Sequence, residues 1–131
     1  MKKIQNAATE PPRDGVHKEF FKDGSVSSIG EYLNGQKVRA WMYFLKNGLV
    51  KASGTYSNGK MNGKWTWFRE SGKLMQTGAF DEEKRVGMWR RYHPNGALYD
   101  EGEYAEDKKI GEWRTFDATG KLTKTTRHKS Q

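Results

Sequence analysis

A short stretch of the sequence occurs twice at a fixed distance, and it decides the fold. Residues 63–74 read GKWTWFRESGKL, and residues 87–98 read GMWRRYHPNGAL. Both copies begin with glycine, have tryptophan third, an aromatic residue sixth, glycine tenth and leucine last. Self-similarity at a fixed spacing indicates a tandem-repeat architecture.

The same pattern runs through most of the chain with a period of 24 residues. The tryptophans that mark it are Trp41, Trp65, Trp89 and Trp113, and a further copy has His17 in the tryptophan column. All 15 glycines fall in four columns, two positions before the tryptophan and seven, thirteen and eighteen positions after it. We therefore expect five copies over residues 15–122, between a flexible N-terminal segment (1–14) and a basic C-terminal tail (123–131).

Each copy has the turn signals of a β-hairpin. Lys46-Asn47-Gly48 and its equivalents are typical of three-residue hairpin loops that end in a glycine with positive φ. Asn34-Gly35 and Asn58-Gly59 mark a second turn, which later copies replace with the polar loops Asp81-Glu82-Glu83-Lys84 and Glu106-Asp107-Lys108-Lys109. The prediction is an all-β fold, in which tandem 24-residue hairpin repeats form one elongated, twisted antiparallel sheet.

The turn positions also predict which side chains face each other. With the tight turn centred six residues after the tryptophan, Phe68 faces Leu74 and Trp65 lies opposite Thr77. Trp65 and Phe68 have opposite parity along the strand, so they lie on opposite faces unless a bulge intervenes. The sequence leaves both arrangements open.

The composition limits the classes of function. The chain has 131 residues, enough for one domain, and only 34% are hydrophobic, yet it contains 5 Trp, 6 Tyr and 6 Phe. Disordered chains are poor in such rings, so we expect a thin ordered sheet. There is no cysteine, which excludes disulfides and thiolate metal sites. No apolar run is long enough for a secretory signal or a membrane span, and we expect a cytoplasmic protein.

The residue types needed for catalysis are scattered. No two of His17, His93 and His128 share a repeat, which argues against a catalytic base or a metal site. Acidic residues cluster at Asp81-Glu82-Glu83 and around Asp100, where solvated turns and strand faces explain them. We expect no enzyme activity, no catalytic residue, no cofactor and no metal.

The net charge of +8 is unevenly distributed. Residues 15–64 carry eight Lys/Arg against three acidic residues, residues 66–120 carry nine against eleven, and residues 121–131 carry four and no acid. The basic ends allow nucleic-acid or anionic-membrane binding as an alternative function. The acid-rich middle would repel phosphates, so a protein partner is the leading expectation.

Residues that the repeat does not require are the candidates for binding. Tyr43, Trp67 and Arg91 occupy the column two positions after the tryptophan, and Arg90 and Arg114 occupy the column one position after it. Rings and arginines at adjacent positions are enriched in protein interfaces. We predict these five as partner-binding residues. The alternative for Trp67, that it packs on the face of Trp65, stays open.

The repeated stretch, together with the Gly-x-Tyr/Phe step that follows it, resembles the bacterial MORN-repeat variant found in YwqK-like antitoxins. The resemblance covers residues 15–122, with departures at His17, in place of tryptophan, and at Arg39, in place of glycine. It implies an elongated antiparallel sheet of hairpins and, for the antitoxin-type members, neutralisation of a partner toxin by direct contact. The expected function is a protein-binding antitoxin or immunity protein whose partner is a toxin or effector.

Overall fold

The computed structural model of the protein describes residues 12–129, which form ten β-strands and no helix. The strands are β1 (Gly15–Phe20), β2 (Val26–Leu33), β3 (Gln36–Phe44), β4 (Val50–Ser57), β5 (Lys60–Phe68), β6 (Leu74–Asp81), β7 (Lys84–Tyr92), β8 (Leu98–Ala105), β9 (Lys108–Phe116) and β10 (Leu122–His128). They form one open sheet in the order β1 to β10, and each strand pairs antiparallel with its neighbours in sequence. The predicted all-β sheet of tandem hairpins is confirmed.

The tight turns have the predicted form. The Leu45 N–H donates to the Leu49 carbonyl at 2.8 Å, and the Gly48 N–H donates to the Leu45 carbonyl at 2.9 Å. Gly48 has a φ of 89°, a left-handed conformation that glycine adopts without steric cost. The same pair of hydrogen bonds closes the tight turn of each of the other four hairpins.

The second turns are alike in all copies, although their sequences differ. Asn34 and Gly35 have φ values of 53° and 79°, as expected for a two-residue hairpin turn. Glu82-Glu83 (48° and 73°) and Glu106-Asp107 (48° and 70°) adopt the same conformation without glycine. The polar loops predicted over residues 81–84 and 106–109 therefore narrow to two residues each, and the flanking residues belong to strands.

The predicted register is right at one pair and wrong at another. Phe68 faces Leu74 as predicted, but Trp65 pairs with Gly78 and not with Thr77. The difference arises from a bulge, since Met75 is an extra residue in β6 between Leu74 and Gln76. Because the extra residue lies in β6, β5 keeps its alternation and Phe68 lies on the face opposite Trp65.

The two departures from the repeat pattern are accommodated. Arg39 has a φ of 59°, the left-handed conformation of its equivalent Gly63, and its Nη1 donates to Glu31 Oε2 at 2.8 Å. His17 pairs with Gly30, as Trp41 pairs with Gly54 in the next hairpin. The first two copies are therefore regular units of the sheet.

The expected boundaries of the flanking segments need correction. The C-terminal tail predicted over residues 123–131 is wrong at its start, because Leu122–His128 forms β10. This strand pairs with the free edge of β9, with Thr126 opposite Trp113. Of the flexible segment predicted over residues 1–14, residues 1–11 lie outside the described part of the chain. Asp14 accepts a hydrogen bond from the Asn34 N–H at 2.8 Å.

Candidate partner-binding face

The core of this single-layer sheet is a row of indoles on one face, which we call the indole face. Its four most buried members, each 7% exposed or less, are Trp41, Trp65, Trp89 and Trp113. Every one lies against a glycine of the preceding strand, so that the ring covers bare backbone. The indole N–H of Trp65 donates to the Thr55 carbonyl at 3.0 Å, and the other three indoles make the equivalent bond. These buried donors are therefore all satisfied.

Upright rings separate the indoles. Tyr56 stands edge-on to Trp65, with ring centroids 5.2 Å apart and planes at 88°. Tyr32, Phe80 and Tyr104 have the same relationship to Trp41, Trp89 and Trp113. Edge-to-face contacts of this kind are favourable because the positive ring edge meets the negative ring face. The contacts link the copies along the sheet.

Tyr43, the first predicted contact residue, fills the gap between two successive indoles. Its ring lies 6.1 Å from Trp41 and 6.3 Å from Trp65, nearly parallel to both. The hydroxyl lies 2.8 Å from the Tyr56 hydroxyl and accepts a hydrogen bond from Lys37 Nζ at 3.2 Å. Burial raises the pKa of Tyr43, and burial together with the Tyr43 hydrogen bond raises the pKa of Tyr56.

Trp67 fills the next gap in the same way. Its ring lies 6.1 Å from Trp65 and 5.7 Å from Trp89, with interplanar angles of 29° and 32°. The geometry matches the alternative that Trp67 packs on the face of Trp65. Tyr43 and Trp67 therefore contribute to the folded ladder of rings, whatever their part in binding.

In the third gap the column changes from a ring to Arg91, whose side chain pairs with Asp100. Arg91 Nε donates to Asp100 Oδ1 at 3.0 Å, and Nη2 donates to Oδ2 at 2.6 Å. This two-point hydrogen bond raises the pKa of Arg91, and it satisfies the carboxylate of a side chain that is only 9% exposed. The guanidinium also lies 4.9 Å from the centroid of the Tyr99 ring.

Because Arg91 pairs with Asp100, no ring from residues 12–129 fills the gap between Trp89 and Trp113, and we call this gap the open ring slot. The slot is part of a cleft of about 380 Å³ that extends along the indole face as far as Trp67. Side chains of both signs and five rings line the cleft, and they are Trp67, Gln76, Phe80, Arg85, Trp89, Arg91, Asp100, Tyr104, Lys109 and Trp113. Arg85 Nη1 donates to the Tyr104 hydroxyl at 3.1 Å, and its Nε pairs with Asp107 Oδ1 at 2.6 Å.

The other two predicted residues lie on the opposite face. Arg90 Nε pairs with Glu101 Oε1 at 2.9 Å, and Arg114 Nη2 lies 3.2 Å from Glu101 Oε2. Successive residues of a strand point to opposite faces, so Arg90 cannot share a surface with Arg91. The five predicted residues therefore lie on both faces of the sheet, with Arg90 and Arg114 opposite the other three. Their individual roles in binding stay predictions.

Two of the three histidines contact backbone carbonyls. His93 Nε2 lies 2.8 Å from the Phe116 carbonyl, and His17 Nε2 lies 2.6 Å from the Arg13 carbonyl. Within residues 12–129 there is no group of three or more His, Asp or Glu side chains placed to bind a metal ion.

The open ring slot was missed in the sequence, although two columns signal it. The column two after the tryptophan holds Tyr43, Trp67 and then Arg91. The residues paired with these three are Ala52, Gln76 and Asp100. The simultaneous change from ring to arginine and from a neutral residue to aspartate marks the copy in which no ring fills the gap.

Comparisons with known proteins give one family and weak structural matches. No curated protein sequence matches the chain. A mutant of S. aureus TarM crystallised with fondaparinux, alpha-GlcNAc-glycerol and UDP is 15% identical with a TM-score of 0.46. A second crystal structure of TarM is 16% identical with a TM-score of 0.45. Each match covers 83% of this chain, which spans only 22% of the TarM chain.

The repeats themselves match a family model described as the MORN repeat variant. The matched segments are residues 13–34, 61–82, 85–106 and 109–129, which together make up more than half of the sequence. The copy that contains Arg39 lies between the first two segments and is not matched, although its hairpin has the same turns and pairing as the others. The chain therefore belongs to the MORN repeat variant family.

Proposed function

We propose that this protein is a non-enzymatic binding module that acts as an antitoxin or immunity protein, by covering a functional surface of a partner toxin. MORN repeats are generally protein- or membrane-binding modules. The resemblance of residues 63–74 and 87–98 to YwqK-like antitoxins supports the narrower role. The observation that carries the proposal is the open ring slot, where aromatic rings and an arginine border a cleft on an open sheet. Tryptophan, tyrosine and arginine dominate the residues on which protein complexes depend.

The dimensions of the sheet suit a protein partner. Ten strands at the usual spacing extend about 43 Å across the sheet, and nine residues of strand extend about 30 Å. One face therefore offers about 1,300 Å², more than the roughly 800 Å² that each partner contributes to a standard interface. The opposite face adds exposed apolar side chains, with Met42 37% and Met88 46% exposed.

A second candidate function is favoured by the last strand. Lys124 and Arg127 lie on β10, at the edge of the sheet, and both are exposed. Arg127 has one ion pair, to Glu112 at 3.8 Å, and 75% of its side chain is exposed. This basic edge would suit nucleic acid or an anionic membrane surface. No helix among the described residues is long and apolar enough to span a membrane.

The decisive experiment is growth rescue. Each open reading frame that flanks the gene is expressed from an inducible promoter in the cytoplasm, with and without this chain. The proposal expects that one frame arrests growth alone, and that the chain restores growth and co-purifies with its product. Inhibition of the purified toxin should become complete at a fixed molar ratio, because direct contact occupies one copy of this chain for each toxin molecule.

Two outcomes would contradict this function. Protection at far less than one chain per toxin would indicate enzymatic turnover. Recovery of nucleic acid, released by nuclease and lost steeply as salt rises, would support the basic edge instead. The control variant is Lys124→Ala with Arg127→Ala, which should impair nucleic-acid binding and leave toxin neutralisation unchanged.

A further inference from the structure

We propose that the open ring slot binds the phenol side chain of a tyrosine that a partner protein presents. This inference rests on the proposed protein-binding function and adds the type of side chain that the site recognises. The slot is defined by Trp89, Trp113, Tyr104 and Arg85.

The first argument is that the chain fills the equivalent slots itself. Tyr43 lies about 6 Å from each of Trp41 and Trp65, and Trp67 lies at similar distances from Trp65 and Trp89. A planar ring between successive indoles is thus the packing that this sheet uses twice. Between Trp89 and Trp113 the chain supplies no such ring from residues 12–129, and Arg91 turns to Asp100.

The second argument identifies the ring. The slot that holds Tyr43 has two polar neighbours, the Tyr56 hydroxyl and Lys37 Nζ, and both hydrogen-bond to the phenol. The slot that holds Trp67 has Phe80 and Met61 at those positions, so its neighbours are apolar and its occupant is an indole. In both slots, the polarity of the neighbouring residues therefore matches the polarity of the ring that lies between the indoles.

The open ring slot has polar residues at the two neighbouring positions, like the slot that holds Tyr43. Tyr104 and Arg85 stand 48 residues, or two periods, after Tyr56 and Lys37. In both slots the cation lies over the tyrosine ring, with Lys37 Nζ 5.2 Å from the centroid of Tyr56 and Arg85 Cζ 4.4 Å from that of Tyr104. With no phenol in the open ring slot, Arg85 Nη1 donates to the Tyr104 hydroxyl at 3.1 Å. A phenol in this slot would find the two partners that Tyr43 finds in its own. A phenylalanine would leave them without that bond, at a cost in affinity.

The third argument concerns access. The slot opens on the indole face, and its rim carries Arg91 and Lys109, whose Nζ lies 4.6 Å from the centroid of the Trp113 ring. The cleft that contains the slot has a volume of about 380 Å³, which lies in the range of small binding sites. A side chain that projects from a partner's surface can therefore enter without rearrangement of the sheet.

The probe for this site is N-acetyl-L-tyrosinamide, with N-acetyl-L-phenylalaninamide as the matched control. The readout is the NMR signal of each indole N–H. The proposal expects a saturable shift of the Trp89 and Trp113 signals, with Trp41 unaffected. The phenylalanine amide should bind about threefold to tenfold more weakly, which is the usual value of one net hydrogen bond. Equal shifts at Trp41 would overturn the site.

Two double variants distinguish the effect of filling the slot from the effect of losing the ion pair between Arg91 and Asp100. Arg91→Tyr with Asp100→Ala recreates the Tyr43/Ala52 pair of the second copy. It should fill the slot, raise the melting temperature and abolish probe binding. Arg91→Ala with Asp100→Ala removes the same ion pair but adds no ring, and should weaken probe binding far less than the first variant does. Unchanged probe binding by the first variant would overturn the proposal.

A single substitution tests the hydroxyl partner and does not depend on how the double variants fold. Tyr104→Phe keeps the ring and removes the hydroxyl that Arg85 contacts. It should reduce the preference for the tyrosine amide over the phenylalanine amide. An unchanged preference would refute the assignment of a phenol.

Growth rescue then separates this inference from the proposed function. A loss of rescue by Arg91→Tyr with Asp100→Ala that exceeds any loss by the control pair supports a partner's tyrosine. Unchanged rescue would refute the inference and leave the antitoxin role intact. If the wild-type chain does not restore growth with any flanking frame, yet binds the tyrosine amide selectively, the antitoxin role is wrong and the tyrosine site is retained. If the wild-type chain self-associates and Arg91→Tyr with Asp100→Ala does not, the bound tyrosine belongs to a second copy of the chain. That result would contradict our assignment of the tyrosine to a different protein.

Discussion

Trp65 lies so close to Gly54 that a β-carbon on this glycine would be 2.0 Å from the indole Cδ2. Gly54 does not have a left-handed φ, so its requirement for glycine is one of space and not of backbone conformation. The same contact recurs at Trp41, Trp89 and Trp113. Each indole is buried because the neighbouring strand has no side chain beneath it.

Gly54→Ala should therefore destabilise the protein strongly. The new methyl group would displace Trp65 from its glycine, and overpacking of this kind costs about 1–3 kcal/mol, of which we expect the upper end. Urea titration measures the loss. Ser53→Ala, one residue earlier on the opposite face, is the control and should change stability by about 0.5 kcal/mol or less. Equal effects of the two changes would contradict the role of the indole contact.

Trp65→Ala should destabilise more than Trp113→Ala. Trp65 contacts Tyr43, Tyr56 and Trp67, whereas Trp113 has ring contacts only with Tyr104 and His128 among the described residues. A buried tryptophan-to-alanine change costs about 3–5 kcal/mol, and the inner copy loses packing on two sides. Equal shifts of the urea midpoint would argue against stacking between neighbouring copies.

Trp67→Ala should lower the melting temperature clearly. The sequence suggested a contact residue whose loss would leave the fold unchanged, but this ring lies between Trp65 and Trp89. We expect a loss of about 2–4 kcal/mol, since the side chain is only partly buried. Met88→Ala, at a side chain 46% exposed, is the matched control with little expected effect. A wild-type melting temperature for Trp67→Ala would return this ring to the list of contact residues.

Arg39→Gly should stabilise the protein. Arg39 has a φ of 59° at the position where later copies have glycine, and the left-handed conformation is unfavourable for a residue with a β-carbon. The lost ion pair with Glu31 is largely exposed, at 64% and 34%, and contributes little. We expect a gain of up to about 1 kcal/mol by urea titration. The reverse change, Gly63→Arg, should be destabilising.

The pH dependence of stability should reflect Asp107. The hydrogen bond from Arg85 holds the pKa of this carboxyl below its usual value. A folded pKa that is lower than the unfolded one contributes stability above the unfolded pKa, and this is lost as the pH falls through the folded value. Stability should therefore decrease below about pH 4. Asp107→Asn should make that decrease smaller, as measured by melting temperature across the acid range.

The period was enough to predict the hairpins, because glycine and asparagine at fixed columns specify both kinds of turn. It was not enough to place Trp65, because the bulge at Met75 is not marked by a glycine or a proline. Each copy contains this extra residue, so the period is preserved and gives no signal of it. A register that is wrong by one residue places a side chain opposite the wrong partner.

The candidate site was predicted in part. The column of Tyr43, Trp67 and Arg91 was recognised, but a ring that departs from a repeat can serve the core as well as a surface. Its position between two indoles depends on how the rings tilt, which the residue types do not specify. The pairing of Arg91 with Asp100 could have been found from the neighbouring column, since a buried aspartate such as Asp100 needs a cationic partner.

In this sheet, each strand pairs only with the strands adjacent to it in sequence. Duplication or deletion of one 24-residue copy within the array would therefore leave every remaining pair intact. The reach of the molecule would change in steps of about 10 Å, the width of two strands. A change in copy number alone would therefore make the sheet wider or narrower without altering the sequence of any copy.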